Sequence, residues 1–550
     1  MALLLDLFAY LSVIVHGLTI VAQSMALGGV LFLIFLARPF EAKLGDAGAV
    51  IRRRTRQIAF WSMLGLVVAE SATLALQGAV LIGTVDLDVF GVLTAEFALY
   101  SLVKIAGAAV LAVLLVGRAD RAPATLLLAG TAVVLAAATG TTHAAARLDS
   151  RVPLMLVEAL HQLGAAIWIG GIPCFVMALG RCHDGTAWRL VGKRFSQMSM
   201  AGVGCILASG LVMSLLYVGA WDGLYGTAYG VMVGTKIAML LSLLALGGMN
   251  FLLVERLRAD PTTPVVRLKR FAEVEIGIGF TLFFAAASLT SSPPAVDLSA
   301  DRVTFSEIVE RNMPVWPRLA SPDHADLAIP ALQHQLDTEA QAQAQKPLPA
   351  FVEGAGYLPP RNAFDIAWSE YNHHWAGLFV LAIGILALLN QAGLRWARHW
   401  PLVFLGLAVF LFLRSDPEVW PLGDIGFFES LYDVEVVQHR FFVVLIVIFA
   451  LFEWRVRAGG WNNGKAALVF PLICAIGGAA LLTHQHAIAN VKDQLLIELT
   501  HTPLALAGIG AGWARWLELR LNPPGSRIAG WVWPVCFVLV GLILLSYREA

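Results

Sequence analysis

Charge is scarce in this 550-residue chain: Asp, Glu, Lys and Arg together make up 14% of it, against about a quarter in soluble globular domains. That scarcity excludes a soluble protein of this length, and the remainder agrees, with 58% hydrophobic residues and a mean hydropathy of +0.74. Cysteine is scarce as well. The five residues Cys174, Cys182, Cys205, Cys474 and Cys536 are scattered within or beside apolar segments, without a CxxC pair. Neither a disulfide framework nor a thiolate zinc site is indicated. No basic stretch precedes the first apolar run, which is therefore read as a retained span rather than a cleaved signal peptide. Ten-residue segments of alternating polarity are missing, which excludes a transmembrane β-barrel. Basic and acidic residues balance at 38 each; that balance says nothing about partners, which depend on how the charges are distributed, and no nucleic-acid partner is expected.

What remains is a series of apolar runs, many longer than the roughly 20 residues that cross a hydrocarbon core of about 30 Å. The chain reads as an all-α, polytopic helical membrane protein in a lipid bilayer. It has about fourteen spans: 4–36, 57–83, 92–117, 124–145, 153–180, 195–220, 229–255, 271–291, 373–392, 400–414, 437–454, 466–485, 493–514 and 528–547. Lysine and arginine set the orientation. Arg52, Arg53, Arg54 and Arg56 follow the first span, and Arg189, Lys193 and Arg194 follow the fifth. Arg256 and Arg258 follow the seventh, and Arg455 and Arg457 the eleventh. The alternate loops are poor in basic residues, which places both termini outside. A polar segment, 293–365, separates an eight-span region, 1–292, from a six-span, His-rich region, 366–550. Its composition, with Ala and Gln dominating 333–345 and several prolines, suits a linker or small cap on the outer side.

The spans are organised around Glu158-Ala-Leu-His161, a carboxylate and an imidazole one helical turn apart inside an apolar run. Ionisable groups are costly in a bilayer and point to function. The arrangement returns as Glu498-Leu-Thr-His501, and each copy is preceded by histidines at the close of the previous span, His143 in one case and His484 and His486 in the other. With His374 and His439, these residues concentrate in the outer half of the membrane by the topology above. Imidazole binds copper, zinc and iron well. His143 with His161, and His484 and His486 with His501, are therefore candidate metal or haem ligands; Glu158 and Glu498 would orient them. His439, with Glu435 one turn before it, is a further candidate, whereas His16, His373 and His399 read as interhelical hydrogen-bond partners. Lys104 and Lys236 either line a charged path or form structural ion pairs with carboxylates on neighbouring spans.

Several stretches, taken in order, resemble one known family. They are Thr142-His143-Ala-Ala-Ala, His161-Gln-Leu-Gly-Ala-Ala-Ile-Trp168-Ile-Gly-Gly171, Lys193-Arg-Phe-Ser196, Gly226-Thr-Ala-Tyr-Gly230 with Thr235-Lys236, Met249-Asn250, and Glu275-Ile-Gly-Ile-Gly-Phe leading to Leu289-Thr-Ser-Ser-Pro-Pro294. Over about 135–295 the chain resembles the copper-resistance protein D (CopD) family of bacterial inner-membrane proteins. The resemblance implies a multi-pass protein of the cytoplasmic membrane linked to copper uptake or tolerance. It also implies metal delivery on the periplasmic side by a periplasmic copper-binding protein. Residues 366–550 resemble the C-terminal part of longer, fused members. Their histidines equally suit a b-type haem held by two imidazoles, the alternative being a membrane redox protein that moves electrons between haem, copper and quinone. In that case the chain would be a haem or copper oxidoreductase.

Overall fold

The structure, a computed structural model, describes residues 2–85, 87–116, 122–147, 150–298, 302–313, 315–322, 334, 337–338, 341–342, 363–416, 419–461, 464–483 and 491–549. Among these residues the regular structure is helical throughout, with a single isolated bridge between Val419 and Ile425. Helices are what a bilayer demands, because they satisfy every backbone N–H and C=O within one segment. The chain divides into two compact units. The first is built on 1–302 and the second on 303–481 and 488–550, apart from short exchanged pieces.

In the first unit the helices are α1 (Ala2–Phe32), α2 (Arg38–Leu44), α3 (Asp46–Val85), α4 (Val89–Thr94), α5 (Glu96–Leu115), α6 (Ala124–Thr139) and α7 (His143–Ala146), followed by α8 (Arg151–Trp168), α9 (Ile172–Leu179), α10 (Gly185–Tyr217), α11 (Trp221–Tyr225), α12 (Ala228–Ala259) and α13 (Val266–Thr290). The second unit holds α14 (Phe305–Arg311), α15 (Ala363–Gln391), α16 (Val403–Arg414), α17 (Val434–Arg457), α18 (Val469–Thr483), α19 (Val491–Arg520) and α20 (Gly525–Leu545). Among the described residues, twelve helices or helix pairs are long and apolar enough to cross a membrane, α6 is a shorter apolar helix, and α19 runs for 30 residues. The all-α polytopic reading holds.

Two expected spans differ in detail. The run 124–145 is one apolar stretch in the sequence, yet the helix stops at Gly140, and His143 opens a separate four-residue helix. The run 153–180 is broken between Trp168 and Ile172, where Gly170, Gly171 and Pro173 follow one another. At the break the backbone packs tightly against α1. A Cβ added to Gly170 would overlap the Ser24 carbonyl, and one added to Gly28 would overlap the Ala166 carbonyl. Small residues at such crossings let backbones touch, and in lipid close packing replaces the hydrophobic effect as the cohesive force.

Of the 293–365 segment, the described part includes a 3-10 turn at Ala295–Leu298 and α14. The latter opens with a capping box between Thr304 and Glu307. The stretch 343–362 lies outside the described residues.

Candidate functional site

The polar interior of the first unit begins on α8. Helical spacing stacks Glu158, His161 and Gln162 over one turn, and each has a partner. Gln162 Nε2 donates to Glu158 Oε1 at 2.9 Å, and Gln23 Nε2 on α1 donates to Gln162 Oε1 at 2.9 Å. Lys236 on α12 acts electrostatically on both Glu158 and His161. His161 Nδ1 lies 3.0 Å from Ser209 Oγ on α10, and that hydroxyl donates to the Cys205 carbonyl at 2.6 Å. A serine has one proton to give. Ser209 therefore accepts from His161, which fixes the proton on Nδ1 and leaves the lone pair on Nε2. This is how an outer hydrogen bond prepares an imidazole for a metal.

His143 meets different neighbours. Its Nε2 is buried without a hydrogen-bond partner. Burial holds the imidazole below its ordinary value of 6.5, with Arg147 acting the same way, against the opposing pull of the Thr290 and Ser292 backbone and Asp297. The ring is thus neutral at physiological pH. Arg147 donates to both carboxylate oxygens of Asp297, at 2.9 and 2.8 Å, beside the same corner. His143 and His161 are set against α13 and α10 respectively, each with its own surroundings.

Lys104 is held in an ion pair, its Nζ 2.8 Å from Glu70 Oε2 with both side chains almost fully buried. Of the two readings open for it, the pair is what the structure contains. Deeper along α8, the indole of Trp168 approaches Glu275 on α13, which also accepts from Asn250 Nδ2 on α12 at 2.5 Å.

In the second unit, His374 has both ring nitrogens engaged. Nδ1 accepts from the Arg318 backbone N–H at 2.8 Å, so Nε2 carries the proton toward the Tyr547 carbonyl at 2.9 Å. The neighbouring His373 stacks on the Tyr547 ring at 3.9 Å and faces His501 edge-on at 6.3 Å between centroids. Its Nδ1 donates to the Ser369 carbonyl at 2.8 Å. His373, read from the sequence as an interhelical hydrogen-bond partner, bonds within its own helix and is the histidine beside His501. Glu498 is buried one turn before His501. His439 pairs with Asp416, Nδ1 to Oδ1 at 2.7 Å, across 23 residues of sequence. The Glu435 side chain, like His484 and His486, lies outside the described residues. Among the described residues, no group of three His, Cys, Asp or Glu side chains comes together as a ligand set.

Sequence reasoning missed Gln23 and Ser209, the partners that tie α8 to α1 and α10. Gln23 was visible as an uncharged polar residue within an apolar span. Nothing local marks Ser209.

Comparison with known proteins gives two matches and one blank. Residues 189–289 match the family model described as copper resistance protein D. A stretch of 179 residues is 31% identical to the copper transport protein CutJ of Bacillus subtilis (strain 168), covering 32% of this chain and 32% of that one. The chain thus aligns with about a third of its relative's length. No solved structure matches it. The residues that match the family model include α12 and most of α10 and α13, with Ser209, Lys236, Asn250 and Glu275.

Proposed function

We propose that the protein handles copper in the bacterial cytoplasmic membrane, accepting the ion at the outer face and passing it through the first unit. The observation that carries this reading is the placement of polar groups at several levels of that unit's helices. His143 stands on α7, and Glu158, His161 and Gln162 lie in the middle of α8. Asn250 and Glu275 lie against Trp168 at its far end. Glu158 and Trp168 are ten residues apart, about 15 Å along a helix. A centre that only exchanges electrons needs ligands at one level, whereas a path needs them at several. The family description and the relative's name both speak of copper. His143 and His161 supply neutral imidazoles, which suit copper. Glu158 and Lys236 keep the neighbourhood near neutrality when it is empty. On this reading a periplasmic copper-binding protein delivers the ion. His439 and His501, with Glu498 one turn before the latter, are further candidate copper ligands of the C-terminal sequence, as are His484 and His486.

The test is copper uptake into proteoliposomes containing the full chain. His161→Ala is expected to lower the rate at least tenfold while leaving the folded protein intact. Unchanged uptake would sink the proposal. The rival reading, a b-type haem protein exchanging electrons with quinone, draws on the closeness of His373 and His501. A reduced-minus-oxidised spectrum with a Soret band and α and β bands would put it first.

A further inference from the structure

The helices of the first unit enclose a cavity of about 290 Å³. Residues of α8, α9, α10, α12 and α13 line it, and its walls are largely apolar and aromatic: Trp168, Phe175, Phe195 and Phe251, the middle pair stacked 4.3 Å apart. One end is polar. Glu275, only 4% exposed, takes hydrogen bonds from Asn250 and Trp168, both neutral donors. Asn250 is 7% exposed, and its buried Oδ1 has no partner; neither does the buried Oγ of Ser199. Leaving buried acceptors unpaired is costly, so this end is built to meet hydrogen-bond donors. Gly247 leaves the space open. A Cβ there would meet only Glu275 Oε2 and Trp168 Cζ2, both at 3.8 Å.

Size, wall and access narrow the occupant. An apolar cavity of about 150 Å³ takes benzene, so this one holds a substituted ring. The rim residues Met200 and Phe251 are 54% and 39% exposed, on helices that cross the membrane. The mouth therefore faces lipid. A ligand entering there arrives dissolved in the bilayer. We propose that the cavity binds a membrane-borne hydroxyl-bearing ring compound of the hydroquinone class. Its hydroxyls donate to Glu275 and to Asn250 Oδ1, the ring lies between the aromatic walls, and an alkyl tail leaves past Met200 and Phe251. The inference concerns binding alone; the cavity shares Trp168, Asn250 and Glu275 with the far end of the copper path proposed above, but its test is made without copper.

The experiment uses the full chain in nanodiscs and a reduced hydroquinone carrying a ten-carbon tail, followed by equilibrium binding. Its dimethyl ether, which has the same ring but no donors, is the control. One saturable site per chain is expected, weakened at least tenfold by Gly247→Leu, which fills the cavity, and by Glu275→Gln. The ether should bind at least tenfold more weakly to the unaltered protein. If Gly247→Leu fails to fold, Met200→Trp at the exposed rim blocks the same mouth and should weaken binding likewise. Equal binding of hydroquinone and ether, or binding untouched by the blocking variant, would overturn the assignment. So would an absence of saturable binding alongside a sodium-dependent stabilisation that Glu275→Gln removes, which would make this an inorganic cation site.

Discussion

Lys104 Nζ and Glu70 Oε2 lie 2.8 Å apart between α5 and α3, with the two side chains 3% and 2% exposed. A charge pair buried this deeply holds position because neither partner tolerates the loss of the other. Lys104 was a candidate for a charged path or for a structural ion pair, and an ammonium tied to its own carboxylate is an anchor between helices. Lys104→Met is expected to destabilise the protein by about 3–5 kcal/mol, since it strands Glu70 in an apolar setting. The double variant Lys104→Met with Glu70→Met should recover most of that loss. Thermal unfolding in detergent measures both, and a single variant as stable as the parent would refute the buried pair.

The hydroxyl of Ser209 orients His161 rather than filling space. Ser209→Ala removes the group that fixes the imidazole proton on Nδ1, while the ring stays packed beside Gly210. Loss of an orienting partner of this kind typically weakens metal binding by about 10–100-fold. Copper affinity of Ser209→Ala should fall within that range, between the parent and His161→Ala. Affinity equal to the parent's would show that Ser209 is only a packing contact.

What the sequence made legible was whatever repeats locally. Apolar runs gave the helices, and the three-residue spacing of Glu158 and His161 gave their shared face. The polar partners were harder, because Gln23 and Gln162 are 139 residues apart and His161 and Ser209 are 48 apart. His373 and His374 illustrate the limit. Adjacent residues on a helix point about 100° apart, so one faces Tyr547 and His501 while the other is locked between Arg318 and the Tyr547 carbonyl. Nothing in the pair itself says which is which. The stretch through Gly140 hid its break for a related reason: alanine and threonine continue on both sides of the glycine, and only the turn into α7 separates His143 from the span.

Gly170 belongs to the same motif as His161, but its task is different. A methyl group there would overlap the Ser24 carbonyl, part of the α1 backbone, and backbone cannot step aside as a flexible side chain can. Gly170→Ala should therefore lower the yield of folded protein and the unfolding temperature, whereas His161→Ala should leave both near the parent values. Size-exclusion profiles and thermal melts of the two variants would separate them; a stable Gly170→Ala protein would refute the tight crossing.

His374 gives a prediction that divides structure from metal. Both its nitrogens are spent on the Arg318 N–H and the Tyr547 carbonyl, and it is 1% exposed. His374→Ala strands two buried backbone groups, each worth about 1–3 kcal/mol. The unfolding temperature should drop while bound copper per chain, measured by elemental analysis, stays constant. A loss of copper at unchanged stability would reverse the assignment.

The pair of Asp416 and His439 sets a pH dependence. Burial raises the Asp416 carboxyl, but His439, Ser415 and Arg440 outweigh that and hold it below its ordinary value of 3.8. A carboxyl lowered in the folded state adds stability above its unfolded value, and the gain disappears as pH falls through the folded one. Asp416→Asn should thus be less stable than the parent by about 1–2 kcal/mol near pH 6, a discounted figure because His439 is partly exposed. The gap should hold down to about pH 5 and close below about 3.8, where the parent's carboxyl takes up its proton. Melting both proteins between pH 3 and pH 7 in one detergent gives the answer. A gap that widened toward low pH would mean that the folded state favours the protonated acid, and the imidazole and guanidinium would then not be its partners.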